Sequence, residues 1–265
     1  MVKKLGKQFL AMKLIDNHCH LDFPHFDEDR EEVLQTCREK LNLIVNCGSS
    51  PETNISTLEL ASENPCFVYP CIGLHPTRTA DMDEEDLEKV KEDIVYYSDR
   101  IVGIGEIGMD FHHEKDEEGR EKQKRFFREF LQLAEKMEKP VVVHSRDAEK
   151  QVMEILEDYE VPSVIMHCFN GSIELAKEAV DRGYYISVST QVLYSKRVQR
   201  IVEETPKDRI LLETDAPFLY PGDERNFPYN VHESLEKIAD IREEGLEELG
   251  EQFNRNTRKA YLEAF

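Results

Sequence analysis

Apolar runs rich in β-branched residues alternate along the chain with longer stretches of charged, helical pattern. Eight runs predict strands, at Lys13–Asn17, Asn42–Cys47, Phe67–Ile72, Ile101–Gly105, Pro140–Val143, Ser163–Met166, Tyr184–Val188 and Arg209–Glu213. Each run is apolar almost throughout and is followed by a helical stretch, which is typical of a parallel sheet covered by helices. Eight such units in 265 residues predict an α/β protein built as a single (β/α)8 TIM barrel.

The amphipathic stretches between the strands predict helices. They are Asp27–Lys40, Pro51–Asn64, Asp83–Tyr97, Glu118–Met137, Ala148–Tyr159, Ile173–Arg182 and Lys196–Glu204, and two C-terminal helices follow near Val231–Glu243 and Leu246–Phe265. A doubly wound open sheet is the alternative, but it usually carries a glycine-rich phosphate turn after its first strand, where His18-Cys19-His20 stands here. We expect residues 13–265 to form one barrel domain, preceded by an N-terminal extension over residues 1–12.

The charge balance limits the choice of partners. The chain carries 34 basic and 55 acidic residues, which gives a net charge of −21. Such a balance argues against a general basic surface for nucleic acid or anionic membranes. It leaves room for a local site whose positive charge comes from bound metal ions.

The sequence also indicates where the protein works. None of the six cysteines forms a Cys-x-x-Cys pair, which favours thiols in a reducing compartment. The apolar run Phe9–Met12 is too short for a signal peptide, and no run approaches the roughly 18 apolar residues of a membrane helix. We expect a soluble, cytoplasmic protein without a membrane partner.

Ionisable residues follow the predicted strands at the same structural position again and again. His18 and His20 follow the first strand and share one of its faces, because side chains alternate along a strand. His75, Glu106, His144, His167 and Asp215 follow the third, fourth, fifth, sixth and eighth strands. Reactive groups of such barrels lie at the C-terminal ends of the strands, so these side chains are expected to converge.

Four histidines, one glutamate and one aspartate supply enough ligands for two divalent cations. We expect His18, His20 and Asp215 to hold one ion, since strands one and eight are neighbours in a closed barrel. His144 and His167 would hold the second ion, and Glu106 would bridge the two because a carboxylate has two oxygens. A hydroxide shared by the ions would be the nucleophile, with Glu106 and Asp215 as catalytic residues. Mg²⁺ or Mn²⁺ is expected, with Zn²⁺ or Ni²⁺ as alternatives for histidine-rich ligands.

Other polar residues near the strand ends suggest supporting roles. His75 and Arg146 are donors that would bind a phosphate group of the substrate. Asp16 and Glu213 lie two residues before His18 and Asp215, where they would accept hydrogen bonds from N–H groups of the ligands. The pair His112-His113 is interpreted as part of a loop without a function.

Six motifs in this order resemble the TatD-type metal-dependent deoxyribonucleases, within the wider TIM-barrel metal-dependent hydrolases. They are Asp-x-His-x-His, Gly-x-His-Pro, Gly-Glu-x-Gly-x-Asp, Val-His-x-Arg, His-Cys-Phe-x-Gly and Glu-Thr-Asp-x-Pro, and the resemblance runs from about Leu14 to the C-terminus. It implies hydrolysis of phosphodiester bonds, typically from the ends of DNA, with Mg²⁺ or another divalent ion. It also implies the metal ligands His18, His20, Glu106, His144, His167 and Asp215. The chain departs from the family at Thr77, where another His is common, and at Asn170, where Ser or Thr is common.

Other hydrolases remain as alternatives because a fold does not fix a substrate. An amidohydrolase-like esterase, lactonase or amidase would use the same barrel, but many such enzymes bridge their metals with a modified lysine on strand four, where Glu106 stands. A deacylase acting on aminoacyl-RNA is a further alternative, and a metal-binding scaffold without activity is the last. DNA ends, or another phosphodiester, are the expected substrate.

Overall fold

The sheet consists of eight parallel strands, and each strand pairs with the next along the chain. The structure, a computed structural model, describes residues 12–222 and 224–264. Backbone bonds close the sheet: Asp215 N–H donates to the His18 carbonyl at 3.0 Å, and His20 N–H donates to the Ala216 carbonyl at 2.8 Å. The predicted (β/α)8 barrel is therefore confirmed. The predicted extension lies outside the described residues, apart from Met12.

Strands and helices alternate as the sequence pattern predicts. The strands are β1 (Leu14–Cys19), β2 (Leu41–Cys47), β3 (Val68–Ile72), β4 (Gly103–Asp110), β5 (Val141–Arg146), β6 (Val164–Met166), β7 (Tyr185–Val188) and β8 (Ile210–Leu212). The helices are α1 (Arg30–Lys40), α2 (Pro51–Glu63), α3 (Glu84–Tyr96), α4 (Glu117–Met137), α5 (Glu149–Leu156), α6 (Ile173–Asp181), α7 (Lys196–Glu204), α8 (Val231–Arg242) and α9 (Leu246–Ala260). Over the described residues, no helix combines the length and the apolar character needed to cross a membrane.

Strands β4 and β5 are longer than predicted. Pairing between them continues to Asp110 opposite Arg146, and all eight residues of β4 are buried. Sequence reasoning ended both strands where the apolar run meets a glycine or an ionisable residue. Because the strands continue, Glu106 and His144 lie on rigid sheet rather than in loops.

The barrel interior below the site is filled by side chains. Residues from several strands, among them Ile15, Val45, Val142 and Leu211, form a buried cluster separate from the larger one that includes the helices. Tyr261 belongs to this cluster, and its hydroxyl donates to the Asn17 carbonyl at 3.1 Å. Such a packed interior is usual for this fold, whose active sites lie at the C-terminal mouth of the barrel.

Candidate metal centre

The six residues predicted as metal ligands lie in one cluster at the C-terminal mouth of the barrel. His18 and His20 lie in and just after β1, Glu106 lies in β4 and His144 in β5. His167 follows β6 directly, and Asp215 lies three residues after the end of β8. The alternation along β1 turns His18 and His20 to the same side, as the sequence predicts, and brings their Nε2 atoms within 3.2 Å of each other.

His18, His20 and Asp215 form the first compact group of donor atoms. Asp215 Oδ1 lies 3.7 Å from His18 Nε2 and 3.4 Å from His20 Nε2. Two ligands that are each about 2.0–2.2 Å from one ion lie roughly 3–3.6 Å apart. The three atoms therefore fit a single transition-metal or magnesium-sized cation with little movement.

Glu106 lies between two groups of donors and presents one oxygen to each. Its Oε2 lies 3.6 Å from His18 Nε2, on the side of the first group. Its Oε1 lies 2.7 Å from His144 Nδ1 and 3.5 Å from His167 Nε2. The side chain of Glu106 is only 3% exposed. Since water cannot solvate its charge, the surrounding imidazoles must compensate it. This arrangement has the geometry that a bridging carboxylate needs.

Each predicted histidine ligand has one ring nitrogen that faces the cluster, the inner nitrogen, and one that faces away, the outer nitrogen. In three of the four, the outer nitrogen is hydrogen-bonded to an acceptor. The contacts are His20 Nδ1 with the Cys47 carbonyl at 2.7 Å, His167 Nδ1 with Glu213 Oε2 at 3.0 Å, and His144 Nε2 with Asp110 Oδ2 at 3.1 Å. When the outer nitrogen donates its hydrogen, the inner nitrogen keeps a free lone pair that points into the cluster. These acceptors favour, for the neutral rings, the tautomer whose inner nitrogen can bind a metal ion.

Asp16 contacts the backbone of a predicted ligand and the segment after β8, but no imidazole ring. Its carboxylate accepts from Thr214 N–H at 2.9 Å and from the Thr214 hydroxyl at 2.6 Å. It also accepts from the backbone N–H of His18 at 3.3 Å, not from an imidazole. Among the described residues, the buried Nδ1 of His18 has no partner. Asp16 therefore joins β1 to the segment after β8, whereas Glu213 contacts the ring of His167 directly.

His75 lies beside the cluster with its ring oriented as a donor. Thr77 N–H donates to His75 Nδ1 at 3.2 Å, so this nitrogen carries the lone pair and Nε2 carries the hydrogen. His75 Nε2 lies 3.4 Å from Glu106 Oε1 and 3.2 Å from His144 Nδ1. These three atoms are close enough together to be ligands of one metal ion. Burial lowers the pKa of His75, which keeps the ring neutral. A neutral ring with its N–H turned inward is suited to donate to an anionic oxygen.

The sequence analysis placed Asp110 at the end of the motif Gly-Glu-x-Gly-x-Asp but assigned it no role in the site. Its buried carboxylate accepts from His144 Nε2 and from His113 Nδ1, the latter at 2.8 Å. Burial alone would raise the pKa of Asp110, but the bonds from His144 and His113 hold it below its usual range. The signal was available in the sequence: Asp110 lies four residues after Glu106, and positions i and i+4 of one strand share a face.

The charges in the cluster depend on one another. Burial alone would raise the pKa of Glu106, but the imidazoles of His75, His167 and His144 hold it well below its usual range. Burial opposes the charged form of His167, yet Glu213 and Glu106 raise its pKa to about 10. Burial and the neighbouring His167 keep the pKa of His18 well below its usual value. A cation binding here replaces protons on such groups, so metal uptake is expected to release protons.

Replacing Asp110 by asparagine is expected to weaken metal binding at the position formed by Glu106 and His144. The change removes the negative charge that holds the hydrogen of His144 on Nε2, and loss of such a partner typically costs about 10–100-fold in metal affinity. Metal titration of the purified variant measures the effect. His113→Ala is the control, since it removes the other side-chain contact of Asp110 and leaves the bond to His144 intact. Equal affinities for the wild type and Asp110→Asn would contradict this role.

Two cavities meet at the cluster, and both are lined by His144, His167 and Asp215. The first, of about 220 Å³, also contains His75 and Phe218. The second, of about 330 Å³, contains Arg146. The two residues predicted to bind phosphate therefore lie on different sides of the candidate metal centre.

Comparisons with known proteins identify the family and agree with the barrel fold. A family model described as TatD related DNase matches residues 15–262. The chain is 36% identical over 256 residues to the uncharacterized metal-dependent hydrolase YabD of Bacillus subtilis, and the match covers 94% of this chain and 98% of YabD. It is 32% identical over 259 residues to human deoxyribonuclease TATDN3, with 94% of each chain covered. The crystal structure of YjjV, a TatD homolog from Escherichia coli, is similar with a TM-score of 0.85 at 28% identity, covering 93% of this chain and 97% of YjjV.

Proposed function

Because the chain belongs to the TatD-related DNase family of metal-dependent hydrolases, we propose that it cleaves phosphodiester bonds of DNA and releases nucleotides from an end. The human relative TATDN3 is named a deoxyribonuclease, which supports DNA as the substrate class. The observation that carries the proposal is the Glu106 carboxylate, with Oε2 facing His18 and Oε1 facing His144 and His167. A pair of sites sharing one carboxylate is typical of enzymes that hydrolyse phosphate esters.

Two divalent cations complete the proposed site. His18, His20 and Asp215 would hold the first, beside Glu106 Oε2. His144 and His167, whose ring nitrogens lie 2.7 and 3.5 Å from Glu106 Oε1, would hold the second. When bound, such ions lower the pKa of a water molecule and stabilise negative charge on the phosphate oxygens. We infer Mg²⁺ or Mn²⁺ as the working ions, although a set of four imidazoles also accepts Zn²⁺ or Ni²⁺.

The side chains of the protein supply the remaining steps. Asp215 is 15% exposed where Glu106 is 3% exposed, so Asp215 is the acid that a water molecule reaches from the mouth of the barrel. We assign Asp215 the role of general base, which accepts a proton from the attacking water. His75 donates its Nε2–H to a phosphate oxygen, and Arg146 binds a phosphate oxygen from the other cavity.

The charge of the whole protein shapes how DNA is bound. With a net charge of −21, the surface repels the phosphate backbone at long range. The attraction is therefore local, and it comes from the bound cations, Arg146 and the N–H of His75. Because the contact is so small, the DNA is expected to dissociate from the enzyme after each cleavage. Such an enzyme is distributive and acts on a few terminal nucleotides.

An assay with defined metals and substrates tests the proposal. Metal-free protein is expected to be inactive and to recover when Mg²⁺ or Mn²⁺ is added, with two ions bound per chain by elemental analysis. Single-stranded DNA labelled at either its 5′ or its 3′ end should be shortened stepwise from one end. RNA, aminoacyl-RNA and small esters or lactones are the comparison substrates.

The contrary result is equally distinct. If the reconstituted protein leaves every DNA substrate intact but hydrolyses a small ester, lactone or amide, the barrel serves the amidohydrolase-like alternative. Cavities of about 220 and 330 Å³ are large enough for such a molecule. Deacylation of aminoacyl-RNA without DNA cleavage would likewise exclude the nuclease.

A further inference from the structure

The loops after β1 and β8 contribute an aromatic wall to the first cavity, formed by Phe23 and Phe218. Both side chains line this cavity of about 220 Å³ together with predicted metal ligands. Their ring centroids lie 6.1 Å apart in an edge-to-face arrangement. Metal binding does not explain two phenylalanines at this place, because a phenyl ring has no donor atom for a divalent cation.

Phe218 is unusually accessible for a phenylalanine. It is 42% exposed, which makes it the most exposed phenylalanine within residues 12–222 and 224–264. Phenylalanine is among the residue types that are most often buried. A phenyl ring left open in a cavity that also holds ionisable groups favours a ligand with both an apolar and a charged part.

Backbone hydrogen bonds hold Phe218 in a fixed position relative to the candidate metal centre. Phe218 N–H donates to the carbonyl of Asp215, a predicted metal ligand, at 2.8 Å. The Phe218 carbonyl accepts from Nδ2 of Asn226 at 2.7 Å, and Asn226 is fully buried. The segment that carries the ring is therefore ordered before a ligand arrives, which lowers the entropy that binding costs.

The aromatic wall lies directly beside the predicted ligand His20. The rings of His20 and Phe23 are stacked, with centroids 4.6 Å apart and an interplanar angle of 23°. The ring centroid of Phe218 lies 6.4 Å from that of His20. A phosphate at the metals and a flat group against Phe218 can therefore belong to one nucleotide, in which a single sugar separates phosphate and base.

The second cavity offers different surroundings. Within the described part of the chain, no phenylalanine or tyrosine lines it. Its charged residues are Arg146 and Arg197 together with three acids, Asp147, Glu149 and the predicted ligand Asp215. Phenyl surface is thus found on one side of the metals only, so a flat apolar group is expected on the side of the first cavity.

A nucleobase has the properties that the aromatic wall requires. Its flat ring system stacks on an aromatic side chain, and every base has such a face, so the contact accepts any sequence. Stacking needs no positive charge, which suits a protein with a net charge of −21. Among the described residues that line the first cavity, Arg78 is the charged side chain outside the predicted ligands and His75, and its charge attracts the phosphate joined to a base.

We propose that Phe218, with Phe23 beside it, is a stacking platform for the base next to the scissile phosphate. The base lies against the ring of Phe218 while its phosphate is held at the metals. The platform accepts all four bases, and it favours the purines modestly because their larger rings stack more strongly. The proposal rests on the proposed function, since it names the part of the DNA that the first cavity binds.

Binding of single nucleotides tests the platform apart from cleavage. The probes are dAMP and 2-deoxyribose 5-phosphate, which has the same sugar and phosphate but no base. In equilibrium dialysis, the Mn²⁺-loaded wild type is expected to bind dAMP at least about fivefold more tightly, because stacking of one base contributes roughly 5- to 150-fold in affinity. Phe218→Ala should bring the ratio of the two affinities close to one. Phe218→Trp keeps a flat ring and should keep or raise the ratio.

The salt dependence of binding distinguishes stacking from a disturbed arrangement of charges. Contacts to phosphates release counterions and make the affinity fall with salt, whereas stacking does not. Phe218→Ala should therefore weaken the binding of a short single-stranded DNA by a similar factor at low and at high salt. A loss of affinity that is confined to low salt would assign the effect to charge and overturn the platform.

A matched control and the possible outcomes complete the test. Tyr96→Ala removes an aromatic ring that is 79% exposed at the end of α3, and it should leave the ratio unchanged. Metal content and the thermal midpoint show that each variant is folded, and Phe218→Leu serves if Phe218→Ala is not. Equal binding of the two probes by the wild type would overturn the platform, as would a Phe218→Ala variant that keeps the full ratio. If the ratio depends on Phe218 but no DNA is cleaved, the platform stands and the nuclease function fails.

Discussion

Glu106→Gln is expected to abolish hydrolysis while the barrel remains folded. Glutamine has the shape of glutamate but no charge, and its amide nitrogen cannot serve as a ligand. One of the two oxygens that face His18 on one side and His144 on the other is therefore lost. Loss of the bridge should reduce kcat/KM by at least roughly a thousandfold, which corresponds to about 4 kcal/mol of transition-state stabilisation.

The metal content separates this explanation from simple unfolding. The variant is expected to bind at most one ion per chain with the affinity of the wild type, measured by elemental analysis after dialysis against buffered metal. Glu59→Gln removes the charge of an exposed glutamate on α2 and should change neither activity nor metal content. Two tightly bound ions in Glu106→Gln, or activity close to that of the wild type, would remove Glu106 from the bridging position.

The positions of the ligands on the barrel were predictable because they follow from backbone periodicity. The two-residue period of a strand puts His18 and His20 on one side, and the (β/α)8 topology brings residues from β1, β4, β5, β6 and β8 to the same mouth. Neither step requires knowledge of how individual side chains pack. The prediction of convergence therefore depended only on recognising the strands.

The contacts that orient the ligands were harder to predict. Glu213 and Asp16 occupy equivalent places before an expected ligand, yet one reaches the ring of His167 and the other binds Thr214. Strand alternation gives the face of a side chain but not its partner across the barrel. The role of Asp110 was missed because the apolar run of β4 ends at Gly105 in the sequence, while pairing with β5 carries the strand five residues further.

The second cavity, of about 330 Å³, could not be predicted from the sequence for the same reason. Asn170 and Gln191 come from the segments after β6 and β7, and nothing in the spacing of the two residues shows that both line one cavity. The motif comparison singles out Asn170 only as a departure from the family.

Asp215→Asn is expected to separate the binding of metal from the transfer of a proton. The asparagine Oδ1 can still coordinate a cation beside His18 and His20, 3.7 and 3.4 Å from the position of the present oxygen. An amide, however, does not accept a proton from water. We therefore expect two bound ions, a KM within a few-fold of the wild type, and a kcat lowered by about 10²–10⁴, the usual contribution of a general base.

Comparison with Glu106→Gln distinguishes a residue that only binds metal from one that also accepts a proton. Both substitutions exchange a carboxylate for an amide at the same centre, but Glu106 is enclosed by donors and Asp215 is the one open to the mouth of the barrel. If Asp215 served only as a ligand, its variant would lose an ion and resemble Glu106→Gln. Asp99→Asn, an exposed change in the turn after α3, controls for loss of charge alone. A variant that keeps both ions but loses turnover identifies Asp215 as the base, whereas full turnover with both ions present would assign the proton to another group.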